Sequence, residues 1–234
     1  MDMAKTVAVI QSSYLPWKGY FDIIHDADVF VFYDDVKYTK NDWRNRNRVK
    51  MNDQVVWLTI PIGKDAVHQR ICDVTIQPGD WQEKHWRTIR QCYGKCEFFH
   101  EYAPVFEQIF CRRQWTSLSE LNQALIRQIC EWLKIDSQLV DSREFPREGS
   151  KQDALIALLK KVDATDYVSG PAAGDYIDPM VFEREGIELT FKDYGNYPEY
   201  PQGEGGFEHG VSVIDLLFRF GADCPRFIWG GGDQ

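Results

Sequence analysis

The first fifty residues constrain the fold more than any other stretch. Thr6–Gln11 (TVAVIQ) is a short apolar run rich in β-branched residues and predicts a buried strand. Ser12–Pro16 interrupts it, and Tyr20, Phe21, Ile23 and Ile24 then recur at helical spacing. Asp28–Tyr33 predicts a second strand, apolar enough at Val29-Phe30-Val31-Phe32 to be covered on both faces. Strand, turn, short helix and strand make a βαβ unit, and in an open parallel sheet ligands bind beyond the carboxyl ends of the strands. Those ends carry Gln11, Tyr14 and Trp17 after the first strand, then Asp34 and Asp35 after the second.

The remainder predicts more of the same architecture. A polar stretch from Lys37 to Trp43 leads into W-R-N-R-N-R-V-K, in which Arg44, Arg46, Arg48 and Lys50 form a basic stripe. The stripe fits either a small phosphate ligand or a solvated strand edge. Val55–Ile62 predicts a third strand, closed by Pro61 and Gly63, and Val74–Ile76 a short fourth. From residue 80 to 134 the pattern turns helical, with capping-box spacing at Asp80/Glu83 and Ser117/Glu120. This stretch reads as an inserted or covering helical region within a single α/β domain spanning 1–234. On its first helix His85 shares a face with Trp81, Ile89 and Cys92, as a packing residue or as a polar group aimed into a cleft. A helix over 150–162, a strand at 166–169, a Gly170–Gly174 loop, a helix opened by Asp178-Pro179 and a strand at 187–191 make a second strand–loop–helix–strand unit. Its glycine-containing loop lacks both P-loop and G-x-G-x-x-G spacing. The run from Lys192 to Gly210, with Tyr194, Tyr197 and Tyr200, is long enough to predict a functional loop. A final helix begins at Ser212.

Bulk properties remove several classes. The 234 residues are 44% hydrophobic and carry 27 basic against 36 acidic side chains, a formal charge of −9, which counts against nucleic acid as a partner. No window resembles a membrane span or a signal peptide, which predicts a cytoplasmic protein. The six cysteines show no zinc-ligand spacing and are expected as reduced thiols. Nothing in the sequence requires a metal or another cofactor.

The motifs I-Q-x-x-Y-L-P-W-x-G-Y-F, A-D-V-F-V-x-Y-D-D-V, W-R-N-R-N-R-V-K and W-L-T-I-P-I closely resemble the WbqC-like family. So do, in order, D-Y-V-S-G, the small-residue loop into Asp175-Tyr176-Ile177, E-G-I-E-L, D-Y-x-x-Y-P-Q and V-S-V-I-D-L-L-F-R-F-G. Ser12-Ser13 stands where the family often has proline after the glutamine. The resemblance implies work on activated sugars in O-antigen and related surface-polysaccharide biosynthesis. The first motif also has the layout of nucleotidyltransferases related to class-I aminoacyl-tRNA synthetases. Trp17-Lys18-Gly19-Tyr20 replaces their H-x-G-H, so that likeness bears on fold more than chemistry.

The expected fold is therefore an open, mostly parallel, Rossmann-like twisted sheet. The expected function is group transfer on a nucleotide-linked sugar, with acylation or aminoacylation of an amino sugar as the expected reaction. The small molecules would be an activated sugar and a group donor. In that reading Asp34 or Asp35 binds a hydroxyl or acts as general base, with His85 as a further acid/base. Asn45, Arg46 and Asn47 hold a phosphate or carboxylate. Gln11, Tyr14 and Trp17 line one side, Gly170 and Tyr176 the other, and Tyr194, Tyr200 and Gln202 close over the ligand. A non-catalytic sugar- or nucleotide-binding accessory protein and an aminoacyl-tRNA-dependent transferase are the alternatives.

Overall fold

The computed structural model describes residues 4–175 and 177–229. Along the chain, β1 (Thr6–Ile10), α1 (Lys18–His25) and β2 (Val29–Phe32) form the first βαβ unit. A hairpin of β3 (Arg46–Met51) and β4 (Gln54–Thr59) follows, then α2 (Trp81–Tyr93), α3 (Phe99–Glu107) and α4 (Leu118–Trp132). The chain returns through β5 (Gln138–Asp141), α5 (Lys151–Lys161), β6 (Asp166–Ser169), α6 (Pro179–Arg184) and β7 (Glu188–Phe191), and α7 (Ile214–Phe220) closes it.

The main sheet has five parallel strands in the order β5-β2-β1-β6-β7. Alternation along the central strands sends Ala8, Phe30 and Phe32 into one buried cluster with α1, α4 and α7. Val7, Val9, Val29 and Val31 go into a second cluster with α5 and α6. Helices thus cover both faces, which is why β2 could be apolar without a break, each fully buried phenylalanine contributing about 2–3 kcal/mol. The open α/β sheet read from the sequence is the one observed.

Two strand expectations change. The segment after Asp53 does form a strand, but β4 pairs antiparallel with β3 in a separate two-stranded sheet (Arg48 opposite Trp57) rather than joining the main sheet. Val74–Ile76 makes only isolated bridges, Thr75 to Ser117 and Ile76 to Ile62. Local sequence identifies a strand but not its partner, because pairing is decided by what covers each face. Capping differs as well. Asp80 makes no cap hydrogen bond and instead pairs with Lys84 at 2.9 Å, whereas Ser117 accepts from the Glu120 N–H at 3.3 Å. Asp178 caps α6 through the Met180 N–H, with Pro179 at the first turn. All six cysteines are free thiols.

Candidate functional site

From β1 the chain runs outward to β2 on one side, and it later adds β6 on the other. The order of connection reverses between β1 and β6, and at such a switch point the loops leaving the two carboxyl ends splay apart. A cavity of about 1130 Å³ opens there. Val9, Ile10 and Gln11 line it from the end of β1, and Ser169, Gly170 and Pro171 from the end of β6. Trp43, Arg44 and Asn47 close one side, and Arg147, Lys151 and Gln152, at and before the start of α5, close another. Tyr194 enters from the long loop.

The turn leaving β1 is held by side chains far along the chain. Leu15 is buried with φ +43, a conformation that costs energy for any residue with a Cβ. Asn47 compensates by donating its amide to the carbonyls of Tyr14 (3.1 Å) and Leu15 (2.7 Å), and the Tyr14 N–H donates to Trp43 O at 3.0 Å. A methyl group on Gly19 would collide with the Trp17 indole, so this glycine lets the ring lie across the start of α1. Trp17 then meets Tyr194 and Tyr197 edge-on, at 5.1 and 5.8 Å between centroids. The loop carrying both tyrosines is tied back to α1, because Tyr197 donates to Asp22 at 2.6 Å and Lys192 pairs with Asp22 at 2.8 Å. Lys18, inside the same aromatic cluster, is pushed down to about 8 by burial.

Arg44 is the cation fixed most firmly on the wall. Its guanidinium donates to Ser13 Oγ (2.6 Å), Gln11 Oε1 (3.2 Å) and Gln11 O (3.3 Å), and its Nε has no partner among the described residues. Gln11 is thereby oriented with its oxygen on Arg44, and its NH2 group has no hydrogen-bond partner among the described residues. Arg147 pairs with Asp35 at 2.7 Å, and Asp35 also accepts from Ser142 at 2.6 Å. The lining includes Arg44, Arg147 and Lys151 but, among the described residues, no aspartate or glutamate. Two of these basic groups already face carboxylates behind the wall, Arg44 with Asp42 at 3.6 Å and Arg147 with Asp35 at 2.7 Å. Together with Trp17, Trp43, Tyr20, Tyr33, Tyr167 and Tyr194 the wall can hold an anionic group and present flat apolar faces beside it.

The residues singled out from sequence divide by geometry. Gln11, Trp17, Asn47, Gly170 and Tyr194 line the cavity. Tyr176 lies outside the described residues. Tyr14 is fully buried and bonds the Nδ1 of His85 at 2.8 Å, and both lie off the cavity wall. Asp34 is also fully buried and accepts from the Ser12 N–H (2.8 Å), Ser119 Oγ (2.5 Å) and Gln123 Nε2 (3.3 Å). Asn45 joins the hairpin to its surroundings through Tyr38 and the Ile60 carbonyl. Arg46 donates to Asn41 O on the outer hairpin face. Tyr200 and Gln202 bond each other at 3.0 Å and knit the long loop together. Wall residues that sequence reading did not place in the site include Ser13, Tyr33, Trp43, Arg44, Arg147, Lys151 and Ser169. A sequence signal existed for Arg44, a member of the basic stripe, but the stripe does not say which arginine faces inward. Arg147 and Lys151 carried no such signal.

Burial among Trp81, Tyr14 and Phe110 lowers His85 to about 4. A histidine in the unfolded chain takes up its proton near 6.5, so between 6.5 and 4 the unfolded state binds more protons and stability falls as pH falls. From pH 7 to pH 5 the loss from this residue is about 2 kcal/mol. Urea unfolding at the two pH values measures it. His85→Gln, less stable at pH 7, is expected to lose correspondingly less between them; an equal loss would show that His85 does not titrate on unfolding.

By fold the chain is a doubly wound α/β protein, and its cavity, lined by basic and aromatic side chains, opens at the switch point of the sheet. The sequence pattern of the WbqC-like protein family matches residues 11–226, and the chain is a member of that family. It is 42% identical over 225 residues to a Mycobacterium tuberculosis protein described as "Uncharacterized protein Rv1507c", covering 96% of this chain and 97% of the relative. No solved structure matches. Among the described residues no helix is long and apolar enough to cross a membrane, and no three His, Cys, Asp or Glu side chains gather where they could hold a metal ion.

Proposed function

We propose that the protein is a group-transfer enzyme acting on a nucleotide-linked sugar, with acylation or aminoacylation of an amino sugar for surface-polysaccharide assembly as its reaction. The observation that carries this reading is the cavity wall, with three basic side chains, six aromatic ones and no acid among the described residues. A pyrophosphate needs fixed cations and N–H donors, and a base and a sugar ring need aromatic faces. Arg44, with the free amide of Gln11 beside it, would hold the phosphate. Arg147 and Lys151 would offer a second anionic subsite for the group donor.

In the transfer itself the sugar amine attacks the activated carbonyl, a C–N bond forms, the bond to the donor's leaving group breaks, and the amine proton passes to a base. Asp35, whose carboxylate pairs with the wall residue Arg147, would take that proton once the incoming anion draws Arg147 away from it. Asp34, with three donors on its oxygens, serves to position the turn after β1.

A second reading, a non-catalytic sugar- or nucleotide-binding protein, is favoured by one specific observation: Asp34 and His85 stand off the wall and Asp35 reaches it through Arg147. Mass spectrometry of a panel of nucleotide amino sugars incubated with activated acyl donors tests the choice. The enzyme reading expects a mass increment, reduced about a hundredfold or more by Asp35→Asn with ligand affinity largely kept. Binding without any increment, in wild type and variant alike, selects the accessory protein.

A further inference from the structure

Four large apolar side chains are exposed among the described residues, and three of them, Trp43, Val55 and Trp57, sit on the β3–β4 hairpin and the segment entering it. The two indoles lie nearly parallel, with 5.7 Å between centroids and 21° between planes, yet Trp43 remains 43% and Trp57 46% exposed. A packing role would bury them. Instead they stack on each other as an exposed apolar tile beside the hairpin, where pairing of Arg48 with Trp57 puts the arginines on the same side. The Arg46 guanidinium lies over the Trp57 ring at 4.7 Å and that of Arg48 over the two indoles at 5.8 and 5.7 Å, cation–π contacts from which the side chains would swing to the rim when a ring stacks. The tile is continuous with the cavity, since Trp43 lines both and Arg44 follows it on the wall.

We propose that Trp43 and Trp57 form a saccharide subsite at the cavity mouth, stacking a pyranose ring whose hydroxyls meet the Arg46 and Arg48 guanidiniums. The axial C–H groups of a pyranose match an apolar aromatic face, and its equatorial hydroxyls need donors at the rim of that face. The charge on the tile favours a sugar over a nucleic acid strand. Glu208 pairs with Arg48 at 3.4 Å, Lys50 is turned onto the Gly206 carbonyl, and the chain as a whole is acidic. If the cavity holds a nucleotide sugar, as proposed above, the ring on the tile belongs to the saccharide that enters or leaves beside it. Recognition of carbohydrate by the tile does not depend on that reading.

The test is NMR of the indole N–H groups during separate titrations with tri-N-acetylchitotriose, maltotriose, mannotriose and decathymidylate, each in wild type and in Trp57→Ala. Saturable shifts of the Trp43 and Trp57 signals are expected with at least one trisaccharide, weakened about fivefold or more in Trp57→Ala at an unchanged thermal midpoint. Shifts produced by decathymidylate in preference to every trisaccharide would overturn the proposal, as would trisaccharides that leave both signals in place. UDP titrated into the same samples reports the cavity separately. Saccharide shifts without UDP binding would sink the nucleotide reading and keep the subsite, and UDP binding without saccharide shifts would do the reverse.

Discussion

Arg44→Met is expected to weaken binding of UDP or a UDP-sugar about ten- to a hundredfold, the effect of losing charge-assisted hydrogen bonds worth about 1.5–3 kcal/mol. The expectation follows from how this side chain is held. Ser13 and Gln11 hold its guanidinium on the cavity wall, so little conformational freedom is lost when an anion arrives. Titration calorimetry at two salt concentrations separates the charge effect from packing, since affinity for the wild type should fall as salt rises and the variant's should fall less. Arg44→Lys keeps the charge but loses the fork that grips Ser13 and Gln11 together, and should land between the two. Unchanged affinity in Arg44→Met would place the anion elsewhere on the wall, with Arg147 and Lys151 as the remaining cations.

Asp34→Ala should strongly destabilise the fold. It strands three buried donors, the Ser12 N–H, Ser119 Oγ–H and one Gln123 N–H, at a cost of about 3–5 kcal/mol. For a chain of this size that lowers the thermal midpoint by about 10 °C. The network extends further, because Gln123 also donates to Asp141 at 2.7 Å. Burial pushes the Asp141 carboxyl up, and its bonds to Arg143 and Gln123 outweigh that and hold it below the usual range. Asp34 therefore ties the carboxyl end of β2 to α4 and to the turn that carries Gln11 and Ser13. Calorimetric scans of Asp34→Ala against Trp57→Ala make the comparison, with a large drop expected for the first and almost none for the second. An Asp34→Ala protein as stable as the wild type would mean that the turn is held by Asn47 alone.

The layout was legible because local pattern and global fold agree along β1, α1 and β2. Val29–Phe32 could read as a two-faced strand only in a covered parallel sheet, and that is where it lies. Val55–Thr59 was legible as a strand, but its pairing with Arg46–Met51 was not, since an antiparallel hairpin and a sheet strand share the same local pattern. Within the candidate site, Gln11, Trp17, Gly170 and Tyr194 could be placed because strand carboxyl ends are where a parallel sheet opens. Asp34 stands at such an end as well, yet its neighbour across the turn, Ser12, draws it inward. In the basic stripe, periodicity gives alternation without direction: Arg44, ahead of β3, turns to the cavity and Arg46, its first residue, to Trp57. Arg147 and Lys151 reach the wall across more than a hundred residues of intervening chain, which no local pattern encodes.

The central claim is that the space between the carboxyl ends of β1 and β6 is the ligand site. A crystal structure of the protein soaked with UDP-N-acetylglucosamine tests it most directly. Density for the pyrophosphate is expected within hydrogen-bonding distance of Arg44 and the Gln11 amide, with the sugar ring directed toward Trp43. Density on another face of the molecule, or an unfilled cavity at saturating ligand, would contradict it.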